Sequence, residues 1–239
     1  MLKKLCVLLT LGLLTFSASA DDAIQSLDNK QQSIIKIASF TANGDLEKLD
    51  KALIQALENG LSINEINEVL VHSYAYVGFP KSIAGIITFL DVVEKRKASG
   101  IKDIQGKDAT ALPEKMDKNE YGAKVRAQLV GLPKDPAPKG YRAFSPVIDT
   151  FLKEHLFADI FARDILDFQT RELVTISLLI SSDNIQERFV KGHMKISMNM
   201  GLSKEQMLDF IKVIGLHVGK DEAKKASDIF EKILKETTK

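Results

Sequence analysis

The pattern of apolar and polar positions along the chain is helical almost throughout. In residues 46–57, leucine and alanine recur every three or four positions with charged residues between them, and the same spacing returns in residues 83–93 and 226–234. This spacing places the apolar side chains on one face of an α-helix. We find no run of alternating β-branched residues bounded by hairpin turns. The sequence therefore predicts an all-α fold.

Two similar junctions indicate that one helical unit occurs twice. Gly60-Leu61-Ser62 and Gly201-Leu202-Ser203 each combine a glycine that ends a helix with a serine that caps the next one. Glu65 and Gln206 stand three positions after these serines and complete two capping boxes. A constant offset of 141 residues aligns both junctions and keeps the surrounding apolar positions in register without a gap. We predict two tandem helical repeats.

The repeat divides the chain into four segments. We predict a signal peptide at 1–20, a first repeat at 21–98 and a second repeat at 142–239. The segment between them, 99–141, is rich in glycine, proline and lysine, which is typical of a connector. A short helix is predicted within it at 118–130. The expected architecture is thus two tandem helical repeats joined by a long connector.

The first twenty residues have the organisation of a secretory signal. A lysine pair precedes an apolar run, Leu5 to Phe16, that is too short to span a bilayer comfortably, and the small residues Ala18-Ser19-Ala20 follow. We expect cleavage between Ala20 and Asp21 and a periplasmic or secreted mature protein. Because no later segment approaches 18 consecutive apolar residues, we expect no membrane contact after cleavage.

Composition narrows the range of functions. The 33 basic and 32 acidic residues nearly cancel, so no strong field recruits nucleic acid or an anionic membrane surface. The single cysteine, Cys6, lies in the predicted signal peptide, so the mature chain is expected to have no disulfide and no thiolate chemistry. The four histidines form no H-x-x-E-H or H-E-x-x-H arrangement. We expect neither a metal nor a cofactor.

Several motifs together resemble a known family. The second repeat contains Arg171-Glu172-Leu173-Val174-Thr175, then His193, then the Gly201 junction, and the first repeat contains 71–80, Val-His-Ser-Tyr-Ala-Tyr-Val-Gly-Phe-Pro. Residues 157–163 precede the first of these motifs in a similar arrangement. These segments resemble the carboxymuconolactone decarboxylase family, part of the alkylhydroperoxidase D-like superfamily. The resemblance implies all-helical units that assemble in threes or sixes, so two fused units per chain imply a homotrimer.

One branch of that superfamily consists of thiol peroxidases with a C-x-x-C pair, whose second cysteine lies four residues before the histidine. Those two positions are Gln186 and Phe189 in this chain. A thiolate is the nucleophile toward a peroxide, and neither an amide nor a phenyl ring replaces it. A peroxidase label would therefore apply only at the level of the family.

The decarboxylase branch needs no thiol. Loss of CO₂ from a carboxylated lactone leaves an electron pair delocalised into the lactone carbonyl, and a positioned acid must then protonate carbon. Helices predicted at 168–180 and 184–200 form an antiparallel hairpin, in which Glu172 and His193 are equally distant from the middle of the loop. We predict that His193 is the acid and that Glu172 orients it. Arg163 is predicted to bind a substrate carboxylate, because guanidinium matches a carboxylate bidentately.

Each candidate also has a purely structural interpretation. Glu172 could complement a helix dipole, His193 could be a satisfied interior histidine, and Arg163 could form a surface ion pair. The remaining histidines are weaker candidates, and packing is favoured for His72 on its apolar helix; they are His72, His155 and His217. The first repeat has Gln31 and Ala52 in place of the Glu172–His193 pair, so we interpret it as scaffold.

The sequence thus favours an exported, cofactor-free acid–base enzyme, a lyase of the decarboxylase or lactone type, acting on a small carboxylated cyclic substrate. A non-catalytic relative that binds a small molecule or a partner protein is the alternative, because the muconolactone pathway is normally intracellular. Each repeat has too few helices to close a core alone, which supports association into a homotrimer. Candidates for the covering surface are Tyr74, Tyr76, Phe79 and Phe161.

Overall fold

The computed structural model describes residues 24–237, so the predicted signal peptide and its cleavage junction lie outside the described residues. This part of the chain forms helices and contains no strand, which confirms the all-α prediction. The helices are α1 (Asn29–Asn43), α2 (Leu46–Glu58), α3 (Ile63–Ala98), α4 (Lys118–Leu129), α5 (Tyr141–Phe144), α6 (Pro146–Phe151), α7 (Phe168–Ser181), α8 (Glu187–Asn199), α9 (Lys204–His217) and α10 (Lys220–Thr237). A π-helical segment, Leu152–Ile160, continues α6.

The helix boundaries repeat with the offset predicted from sequence. Helices α2 and α8 start and end 141 residues apart, and α3 and α9 both begin with a capping box, at Ser62 and Ser203. The glycines before these caps, Gly60 and Gly201, both have left-handed backbone angles, with φ of 86° and 105°. Glycine adopts this conformation without a steric penalty, so it ends the preceding helix cleanly. The predicted tandem repeat is confirmed.

The two repeats share their core and form one body. Helix α1 of the first repeat packs against α7 of the second. Val174 and Leu178 of α7 belong to the apolar cluster of the first repeat, and Ile35 of α1 belongs to that of the second. These three side chains are fully buried. Each repeat therefore covers an apolar face that the other leaves open.

Helix α3 is long and apolar enough to cross a membrane by length and composition, and it alone meets that test within residues 24–237. Its course shows a reversal, because Gly78 has non-helical angles of φ 80° and ψ 161°. The Ser82 hydroxyl donates to the Leu70 carbonyl at 2.8 Å. Residues twelve apart in a straight helix are about 18 Å apart. The halves of α3 on either side of Gly78 therefore lie antiparallel, as α9 and α10 do in the second repeat.

The connector is ordered by contacts with both repeats. Its predicted helix is confirmed as α4, which packs against the π-helical segment through a small third cluster that includes Val125, Leu129 and Phe161. The expectation that the whole connector lies outside a core is therefore wrong for α4. Upstream, the carbonyl of Ile104 accepts from the amide of Ile63 at 2.9 Å and so completes the start of α3.

Candidate functional site

Glu172 and His193 lie together, as their placement on α7 and α8 predicts. Nδ1 of His193 is 2.9 Å from Oε2 of Glu172. A carboxylate can only accept, so Nδ1 carries the proton and donates, and Nε2 of the neutral imidazole is left as an acceptor. The Glu172 side chain is 1% exposed and that of His193 is 23% exposed. The pair therefore has a buried orienting carboxylate and an imidazole that reaches the surface.

The local sequence explains how α7 and α8 present the pair. Asp167 caps α7 by accepting from the amide of Thr170 at 2.8 Å, which places Glu172 in the second turn. Helix α8 begins at Glu187 rather than at the predicted residue 184, because Asn184 has a left-handed φ of 57° and belongs to the loop. The predicted equal heights of Glu172 and His193 survive this shift, because α8 packs against α7.

Tyr76 from the first repeat completes the surroundings of the pair. Its ring meets the His193 ring edge to face, with 5.6 Å between the ring centres. The Tyr76 hydroxyl is buried beside that of Thr175 but makes no hydrogen bond of normal geometry within residues 24–237, and the same holds for Oε1 of Glu172. Burial, reinforced by the negative charge of Glu172, raises the pKa of the Tyr76 phenol far above its usual range. An unpaired buried donor and an unpaired buried acceptor thus adjoin His193.

Beneath this layer, Glu68 joins the two repeats through arginines. Its Oε1 accepts from Nη2 of Arg171 at 2.7 Å, and both of its oxygens lie 3.0–3.1 Å from Nε of Arg163. The Arg171 side chain is fully buried, whereas that of Arg163 is 38% exposed. Arg163, predicted as a carboxylate binder, therefore uses its Nε on Glu68, and its exposed part faces outward.

His72 belongs to the same network. Its Nδ1 lies 3.3 Å from Nη1 of Arg171, and its Nε2 lies 2.9 Å from the hydroxyl of Thr175, which donates to the Arg171 carbonyl. Arginine only donates, so Nδ1 accepts and Nε2 carries the proton. Burial, with the positive charges of Arg171 and His193 as smaller causes, holds the pKa of His72 well below its usual range. His72 is therefore neutral and positions the residues around it.

The first repeat is thus more than the scaffold that the sequence suggested, because it contributes Glu68, His72 and Tyr76. Sequence reasoning missed Glu68, although one signal existed. The repeat offset places Glu68 opposite Asp209, a second buried acid, which accepts from the backbone amides of Gln25 and Ser26. A buried acid at the same position of both repeats indicates that each binds the segment leading into the other repeat's first helix.

The remaining candidates do not join the site. His155 pairs with Asp159 at 3.0 Å on an exposed surface, and His217 lies at the end of α9. No group of three or more metal-ligating side chains occurs in the described part of the chain. Two surface grooves border α10, the larger of about 540 Å³ and lined in part by Gly192 and Lys195, but neither is lined by Glu172 or His193.

The fold and the site define an all-α, two-repeat protein with a carboxylate–imidazole pair in its second repeat. The model of the carboxymuconolactone decarboxylase family matches two regions, 13–87 and 146–232, which together make up more than half of the chain. The chain belongs to this family. The two matched regions coincide with the two structural repeats. No curated protein matches the chain.

Proposed function

We propose that this protein is an exported, cofactor-free acid–base enzyme of the decarboxylase or lactone type that acts on a small carboxylated cyclic substrate. The observation that carries the proposal is the Glu172–His193 pair, in which a buried carboxylate fixes the imidazole while its Nε2 remains available. General acid–base groups of this kind accelerate proton transfer by about 10²–10⁴-fold.

The proposed reaction breaks the bond between a ring carbon and the substrate carboxylate. CO₂ leaves, and the electron pair of that bond is delocalised into the lactone carbonyl as an enolate. Protonated His193 then donates its Nε2 proton to the ring carbon, and the neutral imidazole regains a proton from water. Glu172 stabilises the imidazolium through the 2.9 Å hydrogen bond to Nδ1.

Two further side chains would bind the substrate. Burial keeps the Tyr76 phenol protonated, so its unpaired hydroxyl is suited to donate a hydrogen bond to the developing enolate oxygen. The exposed part of the Arg163 guanidinium would hold a carboxylate of the substrate, while its bond to Glu68 fixes the side chain. This division assigns proton transfer to the second repeat and part of the binding to the first.

The alternative is a non-catalytic member of the family that binds a small molecule or a partner protein. The near-complete burial of Glu172 favours it, because a ligand would reach only the imidazole unless the site opened. Thiol peroxidase activity is not part of either proposal, because Gln186 and Phe189 occupy the positions of the redox cysteines.

A ligand screen by thermal shift tests the proposal. The mature protein would be heated with lactones, aromatic-pathway acids and quinone-like compounds, since bound ligand raises apparent stability in proportion to RT ln(1 + [L]/Kd). Compounds that stabilise the protein would then be assayed for CO₂ release. A ligand that binds through Arg163 and Tyr76 but is never turned over would favour the binding alternative.

The same proposal includes the setting of the protein. The signal-like sequence at 1–20 supports a periplasmic or secreted location, and the balanced charge gives no support for nucleic acid or membrane surfaces as partners. We expect the chain to associate with itself as a homotrimer, a number that rests on the family. Light scattering on the mature protein would give a concentration-independent mass of three chains.

A further inference from the structure

The second half of α3 carries an apolar face that no described residue covers. Phe79, Ile83, Ile87 and Leu90 follow one another at helical spacing, and each side of this row is between 49% and 62% exposed. We call these four residues the first stripe. The opposite face of the same half-helix is buried in the core through Phe89.

The second repeat provides an internal comparison for this face. With the offset of 141, the buried positions are conserved in character, since Phe89 corresponds to Phe230 and Val92 to Ile233, all of them buried. The exposed positions differ completely. The residues that correspond to Phe79, Ile83, Ile87 and Leu90 are Lys220, Lys224, Asp228 and Glu231, all charged and exposed. The fold therefore tolerates a charged surface at this position, so the apolar residues of the first stripe are not required by the core of the chain.

A second exposed apolar row lies on α5 and α6. Phe144, Val147, Ile148 and Phe151 have the spacing of one helix face and are 93%, 55%, 44% and 59% exposed. We call these residues the second stripe. Short helices that present four large apolar side chains to solvent are unusual for an isolated soluble chain.

The two stripes together have the size of an interface. An aromatic side chain presents about 150–250 Å², so the three partly exposed phenylalanines expose roughly 400 Å². The five aliphatic side chains, each about half exposed, add a comparable area. A standard interface buries about 1,600 Å² in total, a little over half of it apolar. One stripe facing the other supplies the apolar part of such a contact.

We propose that the first stripe of one chain packs against the second stripe of another copy, as a head-to-tail contact. Two different surfaces that bind each other generate a ring when the rotation closes. The inference therefore rests on the proposed homotrimer and names the surfaces that form it. Of the residues predicted for this role, Phe79 belongs to the contact. Phe161 is 2% exposed in the described structure and Tyr76 lies against His193, so those two assignments are wrong.

The chain itself supplies the test variant for the first stripe. Phe79→Lys, Ile83→Lys, Ile87→Asp and Leu90→Glu, made together, transfer the charged face of the second repeat to the first without changing the net charge. The second-stripe variant is Phe144→Lys with Phe151→Glu. Leu208→Glu with Leu216→Lys is the control, because both leucines are exposed on α9 outside the stripes. If the fourfold variant loses its helical circular dichroism, Ile87→Asp alone replaces it.

Mass by light scattering distinguishes the outcomes. We expect wild type and control to have the mass of three chains and each stripe variant that of one chain. An equimolar mixture of the two stripe variants retains one intact contact and should have the mass of two chains. A wild-type protein with the mass of one chain refutes the proposed assembly and this contact together. Assembled stripe variants, or a mixture that stays monomeric, refute the contact alone. Binding of wild type, but not of the variants, to phosphatidylcholine–phosphatidylglycerol vesicles would show that a membrane covers the stripes and overturn the proposal.

Discussion

Oε2 of Glu172 lies 2.9 Å from Nδ1 of His193, and this contact joins the start of α7 to the middle of α8 across a short loop. The carboxylate determines which imidazole nitrogen carries a proton, because it can only accept. Every chemical role proposed for the second repeat depends on that assignment, since it directs the reactive Nε2 away from α7.

We expect His193→Ala to abolish any turnover of an identified substrate while the fold survives. Glu172→Gln should reduce kcat by a smaller factor within the 10²–10⁴ range of general acid–base catalysis, because the amide still positions the ring but no longer stabilises the imidazolium. Steady-state kinetics and circular dichroism check both expectations. His155→Ala, which alters an exposed histidine, is the control, and unchanged activity of His193→Ala would remove His193 from the mechanism.

The buried ion pairs of Glu68 lead to a prediction about stability. Glu68→Ala leaves Arg171 as a buried charge without its carboxylate, and removal of one partner from such a pair typically costs about 3–5 kcal/mol. Denaturant unfolding monitored by circular dichroism would measure this loss. Glu231→Gln, which removes one member of an exposed pair with Lys235, should change the free energy of unfolding little. Equal effects of the two substitutions would contradict the proposed importance of the network.

The sequence predicted the features that depend on local pattern. Helix spacing, caps and the offset of 141 residues are properties of short segments, so the repeats and the Glu172–His193 hairpin followed from them. The contacts of Glu68 and His72 join residues 95–103 positions apart. They depend on how the repeats pack, and the spacing along the chain does not encode that. For the same reason the sequence placed Tyr76 at a subunit surface, whereas it lies against His193.

His72 predicts a dependence of stability on pH. Its pKa is lowered in the folded state, chiefly by burial, so the unfolded chain binds a proton that the native chain does not. Stability from this residue is therefore complete above the unfolded pKa of about 6.5 and is lost as the pH falls below it. The slope for one proton is about 1.4 kcal/mol per pH unit.

We expect the free energy of unfolding to decrease between pH 7 and pH 5, and the slope to be smaller in His72→Gln. His155→Gln is the matched control, because His155 is exposed and paired with Asp159. His217, whose pKa is also lowered by burial, contributes equally to all three proteins. An identical slope in wild type and His72→Gln would show that His72 gains its proton in the folded state as well.

Export leads to a prediction about the mature chain. Intact mass of material recovered from the periplasm or medium should begin at Asp21, because the small residues before it suit a signal peptidase. The same material should contain no titratable thiol, since Cys6 is removed with the leader. Exported protein that retains residue 1 would contradict the predicted cleavage.

Two glycines are expected to respond to alanine in opposite directions. Gly78 forms the reversal of α3 with φ 80° and ψ 161°, a conformation essentially restricted to glycine, so Gly78→Ala should destabilise the protein by about 1–3 kcal/mol. Gly192 lies inside α8, and a methyl group added there meets nothing within 4 Å. Alanine at that position should stabilise the helix by about 0.5–1 kcal/mol. Thermal unfolding of the two variants beside wild type measures both signs. A neutral Gly78→Ala would mean that the antiparallel arrangement of the two halves of α3 does not depend on this backbone conformation.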